Sequence, residues 1–218
     1  MPRRRNGKTG VPSPTAIGIA AGLGLIALIH FSGQSGKPNK EAQPEPRFPS
    51  SGWEPYRGCF AKITEDPEVL DRIVAYQGYM KSSAQTSGVD QAYLNAVALS
   101  ISGFGKEPAT AGRVGMFHMI EGMARFQAIM AELSPEALSD PSTNTLLAAK
   151  TLSYYNEKYG DMEKAYAALR LGESATALEV GEGWKSALPD EISNEIKEIA
   201  ENWEKFIDAL VRASEGKC

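Results

Sequence analysis

The sequence predicts an all-α protein: an orthogonal bundle of helices over residues 53–218, standing behind one apolar N-terminal helix and a polar tether. Three observations predict it. From Trp53 onward, apolar residues recur at spacings of three and four, with no alternating run long enough for a useful strand. Aspartates, two of them followed by proline, stand just before several of these periodic stretches, where helix N-caps belong. Glycines follow the stretches, where helices stop.

In chain order, residues 1–15 are a basic stub carrying Arg3, Arg4, Arg5 and Lys8 and no acid. Residues 16–32 are rich in Ile, Leu, Ala and Gly and, read outward to Val11, approach the roughly 20 residues that a membrane-spanning helix needs. A removed secretory signal is the alternative, but the small-x-small cleavage pattern around His30-Phe31-Ser32-Gly33 is poor, which favours a retained anchor. The basic stub before it keeps the N-terminus cytoplasmic and exports the rest. Residues 33–52 hold Pro38, Pro44, Pro46 and Pro49 among polar residues, a composition that reads as a flexible, disordered linker.

Asp66-Pro67 opens the first long helix, with Val69, Leu70, Ile73, Val74, Gln77 and Met80 on its apolar side. Asp90 caps the next, whose Leu94, Val97, Ala98 and Ile101 form a stripe that ends at Gly103 and Gly105. A third helix is expected from about Phe117 to Leu133. A fourth starts at Asp140-Pro141, runs through Leu147, Leu152 and Tyr155, and stops at Gly160. Asp161 caps a short helix ended by Gly172, and Leu188-Pro189 leads into a long one bearing Ile192, Ile196, Ile199, Trp203, Ile207 and Leu210.

Composition narrows the function. The net charge of −4 conceals +4 in residues 1–15 and −8 in the remainder, which argues against nucleic acid as a partner. Two histidines, His30 and His118, and two cysteines, Cys59 and Cys218, are too few and scattered for a zinc site, and no nucleotide or haem motif appears, so no cofactor is expected. In an oxidising compartment Cys59 and Cys218, at the two ends of the exported region, are disulfide candidates; two free thiols are the alternative.

The order of short motifs over residues 66–210 resembles the soluble lytic transglycosylases, the goose-type-lysozyme-like enzymes that cleave peptidoglycan. Gly88-Val89-Asp90 followed by Tyr93-Leu94 and Ala96-Val97-Ala98 is similar to the family's helix leading to the catalytic Glu. Ile101-Ser102-Gly103-Phe104 stands where the family has Glu-Ser-Gly-Phe, and Gly115-Met116-Phe117-His118 where it has Gly-Leu-Met-Gln. Asp140-Pro141 with Asn144 resembles its Asp-Pro-x-x-Asn. Tyr159-Gly160-Asp161 and Ala165–Ala168 precede Leu169-Arg170-Leu171-Gly172, in place of Tyr-Asn-Ala-Gly. Leu188-Pro189-Asp190-Glu191 resembles the opening of its last helix. The resemblance implies a lysozyme-like bundle at residues 53–218 with a sugar cleft touched by Ser102, Met116, Phe117, His118, Leu169 and Arg170.

It also implies a loss. The family's single Glu protonates the glycosidic oxygen and then helps the muramyl 6-hydroxyl close an anhydro ring, and Ile101 can do neither. General acid–base catalysis alone supplies about 10²–10⁴-fold. Glu107 is the best candidate for a relocated acid, Glu121 reads as a helix-start acid, and His118 is a general acid only below about pH 6.5. Three functions follow as expectations. The first is an inactive, membrane-anchored relative that binds peptidoglycan strands or an envelope protein. The second is a divergent peptidoglycan-cleaving enzyme of a phage or secretion system using Glu107. The third is a structural membrane protein of a virion or secretion apparatus. In each, the folded region lies outside the cytoplasm, in the periplasm or on a virion membrane.

Overall fold

The computed structural model describes residues 52–172, 175, 178, 181 and 183–218. The basic stub, the 16–32 anchor and all of the linker but Gly52 lie outside the described residues. Among the described residues, no helix is long and apolar enough to cross a membrane.

Among the described residues, seven α-helices carry the fold: α1 (Arg57–Phe60), α2 (Pro67–Ser87), α3 (Gln91–Ser102), α4 (Glu121–Met130), α5 (Pro141–Tyr159), α6 (Met162–Leu171) and α7 (Asp190–Ser214). Four start on an aspartate whose carboxylate accepts backbone N–H groups otherwise left without partners. Asp66 accepts from Glu68 and Val69, Asp90 from Tyr93, Asp140 from Thr143, and Asp161 from Glu163 and Lys164. Gly88, Gly103 and Gly160 end α2, α3 and α5 in the left-handed region.

α3 is the central helix. It packs chiefly on α7 and also on α2, while α5 packs on α2 and α6. The expected single stripe on α3 is too narrow: Ala92, Tyr93, Leu94, Asn95, Ala96, Val97, Ala98, Ile101 and Ser102 are all buried, so the helix is covered on nearly every side. Its one buried amide is satisfied. Asn95 and Gln77 of α2 exchange hydrogen bonds in both directions (2.7 and 3.2 Å), and Gln91 donates to Gln77 Oε1 at 3.0 Å. Fully paired amides in a dry interface fix the register of α2 on α3, because sliding either helix strands them.

Two expectations are corrected. The third helix starts at Glu121, not Phe117, because the preceding residues form a small antiparallel hairpin, β1 (Arg113–Val114) with β2 (Met119–Ile120). Its turn needs positive φ at Gly115 (66°) and His118 (43°), which no helix allows. On α7 the buried residues are Ile192, Ile196, Ile199, Asn202, Phe206, Ala209 and Ala213. Trp203 and Ile207 are 36% and 44% exposed. The register turns because Phe206 meets Phe60 of α1 and Phe104 after α3, with ring centroids 6.4 and 6.1 Å away. Trp203 lies at the edge of the interface, donating to Asp90 at 2.9 Å with its ring edge-on to Tyr93.

Cys59 on α1 and Cys218 are joined in a disulfide with a Cα–Cα distance of 4.8 Å and a sequence separation of 159. A cross-link closing so long a loop restricts the unfolded chain, so reduction is expected to lower unfolding free energy by about 3–5 kcal/mol. Urea melts with and without reductant measure it.

Asn144 fixes the hairpin. Fully buried on the first turn of α5, it accepts from Phe117 N at 3.0 Å and donates to Leu138 O at 3.1 Å and Val114 O at 3.4 Å. A Cβ on Gly115 would lie 2.2 Å from its side chain. Gly115→Ala is therefore expected to cost at least about 2 kcal/mol through overpacking and the unfavourable φ. Asn144→Ala, which strands a buried N–H and a carbonyl, is expected to cost about 2–4 kcal/mol. A variant within about 0.5 kcal/mol of wild type in urea unfolding would contradict this role.

Candidate functional site

α3 ends in three residues of positive φ in succession, Gly103 (54°), Phe104 (59°) and Gly105 (78°). The turn is held by Ser102, whose hydroxyl donates to Met116 O at 2.6 Å and accepts from Gly105 N at 2.8 Å, and by Arg72, which donates to Gly105 O at 3.1 Å. Phe104 goes into the core and the following loop is turned outward. Lys106, in that loop, pairs with Asp66 at the start of α2.

Where α3 stops, a cavity of about 620 Å³ opens between five pieces of chain. α3 contributes Ser100 and Ile101, and the loop after it Glu107, Pro108 and Thr110. Arg113 and His118 come from the hairpin. Arg170 and Leu171 end α6, and Glu191, Ile192 and Glu195 come from the first turns of α7.

Of the residues expected from the sequence, Ile101, Glu107, His118 and Arg170 meet at this cavity. The other four do not line it. Phe117 and Leu169 are fully buried, Met116 is buried beside Gly105, and both sides of the Ser102 hydroxyl are spent within the fold. In this structure these four are packing residues that do not line the cavity, unlike the contact with sugar that the resemblance implies. Glu121 opens α4, pairs with Arg125 at 2.7 Å and also does not line the cavity.

The strongest interaction at the site was not foreseen. Arg170 is 5% exposed, and its Nε and Nη2 donate to the two oxygens of Glu195 at 3.0 and 2.8 Å. The Tyr166 hydroxyl donates to the same carboxylate at 2.6 Å. Burial works against the charge on Arg170, but Glu195, Tyr166 and Glu191 outweigh it, and the guanidinium holds its proton above the ordinary arginine value. Burial and the adjacent carboxylate push the Tyr166 phenol well above its usual range. Spacing held one clue: Tyr166 and Arg170 are four apart on α6, as are Glu191 and Glu195 on α7, so each pair shares a helix face. That the faces meet is a tertiary fact.

Arg113 ties the hairpin to α6, donating to His118 O at 2.9 Å and Arg170 O at 2.8 Å. His118 Nε2 lies 3.2 Å from Glu107 O. A carbonyl only accepts, so Nε2 carries the proton of a neutral ring. Burial first, then the positive charges of Arg170 and Arg113, lower the His118 pKa and outweigh the opposing hydrogen bond. An imidazole so placed is a weaker candidate for a protonated acid than an exposed one. Among the described residues, no cluster of three His, Cys, Asp or Glu side chains has metal-site geometry.

Two outcomes are expected. Since His118 binds its proton less readily folded than in the unfolded chain (about 6.5), it reduces stability as pH falls below about 6.5 and has no such effect above it. An NMR titration should place its midpoint below 6.5, and a midpoint above that value contradicts the placement. Glu195→Ala, which leaves the Arg170 charge buried alone, is expected to cost about 3–5 kcal/mol in urea unfolding.

Residues 78–183 match the family model of the transglycosylase SLT domain. No curated protein matches the chain. The match takes in the C-terminal half of α2, all of α3 to α6, and the hairpin and loop at the cavity. Over these residues the chain is similar in sequence to the lytic transglycosylases of the lysozyme-like family.

Proposed function

We propose that this protein is a transglycosylase-like domain that binds peptidoglycan strands without cutting them, held in the cell envelope by its N-terminal segment. The SLT-domain match supports a peptidoglycan-related role. The observation that carries the finer reading is Ile101, which sits at the end of α3 against an open cavity and presents an alkyl chain where the resemblance expects the acid. The least exposed carboxylate lining the cavity, Glu195, has both oxygens engaged by Arg170, and one of them also by Tyr166. A general acid must release a proton to the glycosidic oxygen at about 2.6–3.2 Å. A carboxylate held by a guanidinium fork has its oxygens turned to the fork instead.

One observation favours a second reading: Glu107 lines the same cavity and is exposed. In that reading the chain is a divergent peptidoglycan-cleaving enzyme with Glu107 as its acid.

Co-sedimentation of the full chain with purified sacculi, with analysis of released muropeptides, tests the proposal. Expected are binding and no anhydromuropeptide release at any pH from acid to neutral. Release that Glu107→Gln abolishes would establish the second reading. Absence of binding would overturn both and leave a structural role in a membrane or virion. Ile101→Glu is expected to restore measurable release while costing about 1.5–3 kcal/mol of stability from lost apolar burial.

A further inference from the structure

We propose that Arg113, His118 and Arg170 form a carboxylate subsite in the cavity, so that the groove prefers glycan strands bearing an acid group over neutral ones. This rests on the reading of the cavity as a glycan groove and adds the chemistry of its ligand.

Three observations carry it. Arg113 is half-buried, and both of its hydrogen bonds go to neutral carbonyls, His118 O and Arg170 O. No carboxylate forms an ion pair with it among the described residues. Arg170, behind it, is buried and gives Nε and Nη2 to Glu195, while its Nη1 has no partner. Both cations line the cavity with His118, whose ring makes one hydrogen bond among the described residues, through Nε2.

Charge chooses the ligand. Two guanidiniums against one mostly covered carboxylate, the half-buried Glu195, leave one positive charge uncompensated in the wall. Glu191 is three-quarters exposed and 3.5 Å from Arg170 Nη2, and Glu107 is exposed on the loop. Water screens these two far better than it screens a group inside. They also repel a dianion at the mouth. A single negative charge on a planar group therefore matches the wall, and planar carboxylates accept from guanidinium N–H pairs. Burial and the repulsion from Arg170 act together to disfavour the charge on Arg113, a cost that a bound anion relieves.

On a peptidoglycan strand this acid has two sources. One is the lactyl carboxylate of a muramyl residue whose stem peptide has been removed. The other is a carboxylate of the stem peptide itself.

Titration of the full chain with three oligosaccharides of equal length, by calorimetry, separates them: peptide-free muramyl strands, strands with intact stem peptides, and neutral chitooligosaccharide. Expected is binding of at least one acidic strand roughly ten- to a hundredfold tighter than the neutral one, the scale of a charge-assisted hydrogen bond. The tighter of the two acidic strands identifies the source. Arg113→Gln should bring the acidic strand down to the neutral strand's affinity, and Arg113→Lys should keep part of the preference.

A readout on the unaltered chain guards against misfolding of these variants. Bound acid placed beside His118 should raise its NMR titration midpoint, and neutral strand should not. Equal affinities for acidic and neutral strands, with a His118 midpoint that acid leaves in place, would overturn the subsite while leaving the glycan groove standing. Failure of all three strands to bind would overturn both.

Discussion

The cavity exists because the 113–120 hairpin is clamped from three sides, and the rest of the site depends on that clamp. Ser102 holds its turn from the end of α3, Asn144 from the start of α5, and Arg113 reaches across to the last turn of α6. All three bonds join side chains to backbone carbonyls or amides, so they specify chain path more than side-chain chemistry. Such a frame tolerates exchange of the residues it displays. Ile101, His118 and Arg170 are displayed. Ser102, Gly115 and Asn144 belong to the frame, and their roles require those residue types: a hydroxyl that donates and accepts, a residue without Cβ, and a primary amide.

The ion pair at the cavity wall follows a different logic. Arg170 and Glu195 join α6 to α7, and burial raises the cost of leaving either one alone. The Tyr166 hydroxyl takes up further lone-pair capacity on the carboxylate. The result is a rigid wall with a carboxylate held in place, next to an apolar residue at the end of α3. Burial, and after it the charges of Arg170 and Arg113, oppose protonation of the histidine in the same wall.

Much of the helical frame was legible in the sequence because its signals are local. Asp66, Asp90, Asp140 and Asp161 cap the helices they precede, and Gly88, Gly103 and Gly160 end three of them, through bonds made within a few residues. The helical frame was legible from periodicity and motif order, and Ile101, Glu107, His118 and Arg170, which line one cavity, were each singled out in the sequence. The hairpin was not, since strands of two residues leave no period to read and its turn depends on Asn144, which lies beyond the hairpin in sequence. The face of α7 was misjudged past Ile199 because Trp203 and Phe206 are nearly equivalent by spacing. Phe60 and Phe104, distant in the chain, decide between them. Glu195, Tyr166 and Arg113 escaped because their pairing is purely tertiary. Ser102, Met116, Phe117 and Leu169 carried the motif but serve the core.

The central claim is that the alkyl side chain at the end of α3 faces a groove that still receives sugar. Methyl NMR of the chain with isotope-labelled isoleucine, titrated with neutral chitooligosaccharide, tests it most directly. The account predicts that the Ile101 methyl shifts in a saturable manner, together with Ile192 of the same cavity, while the methyls of core residue Ile73 remain in place. Saturable binding that leaves Ile101 unmoved, or no binding at all, would contradict it.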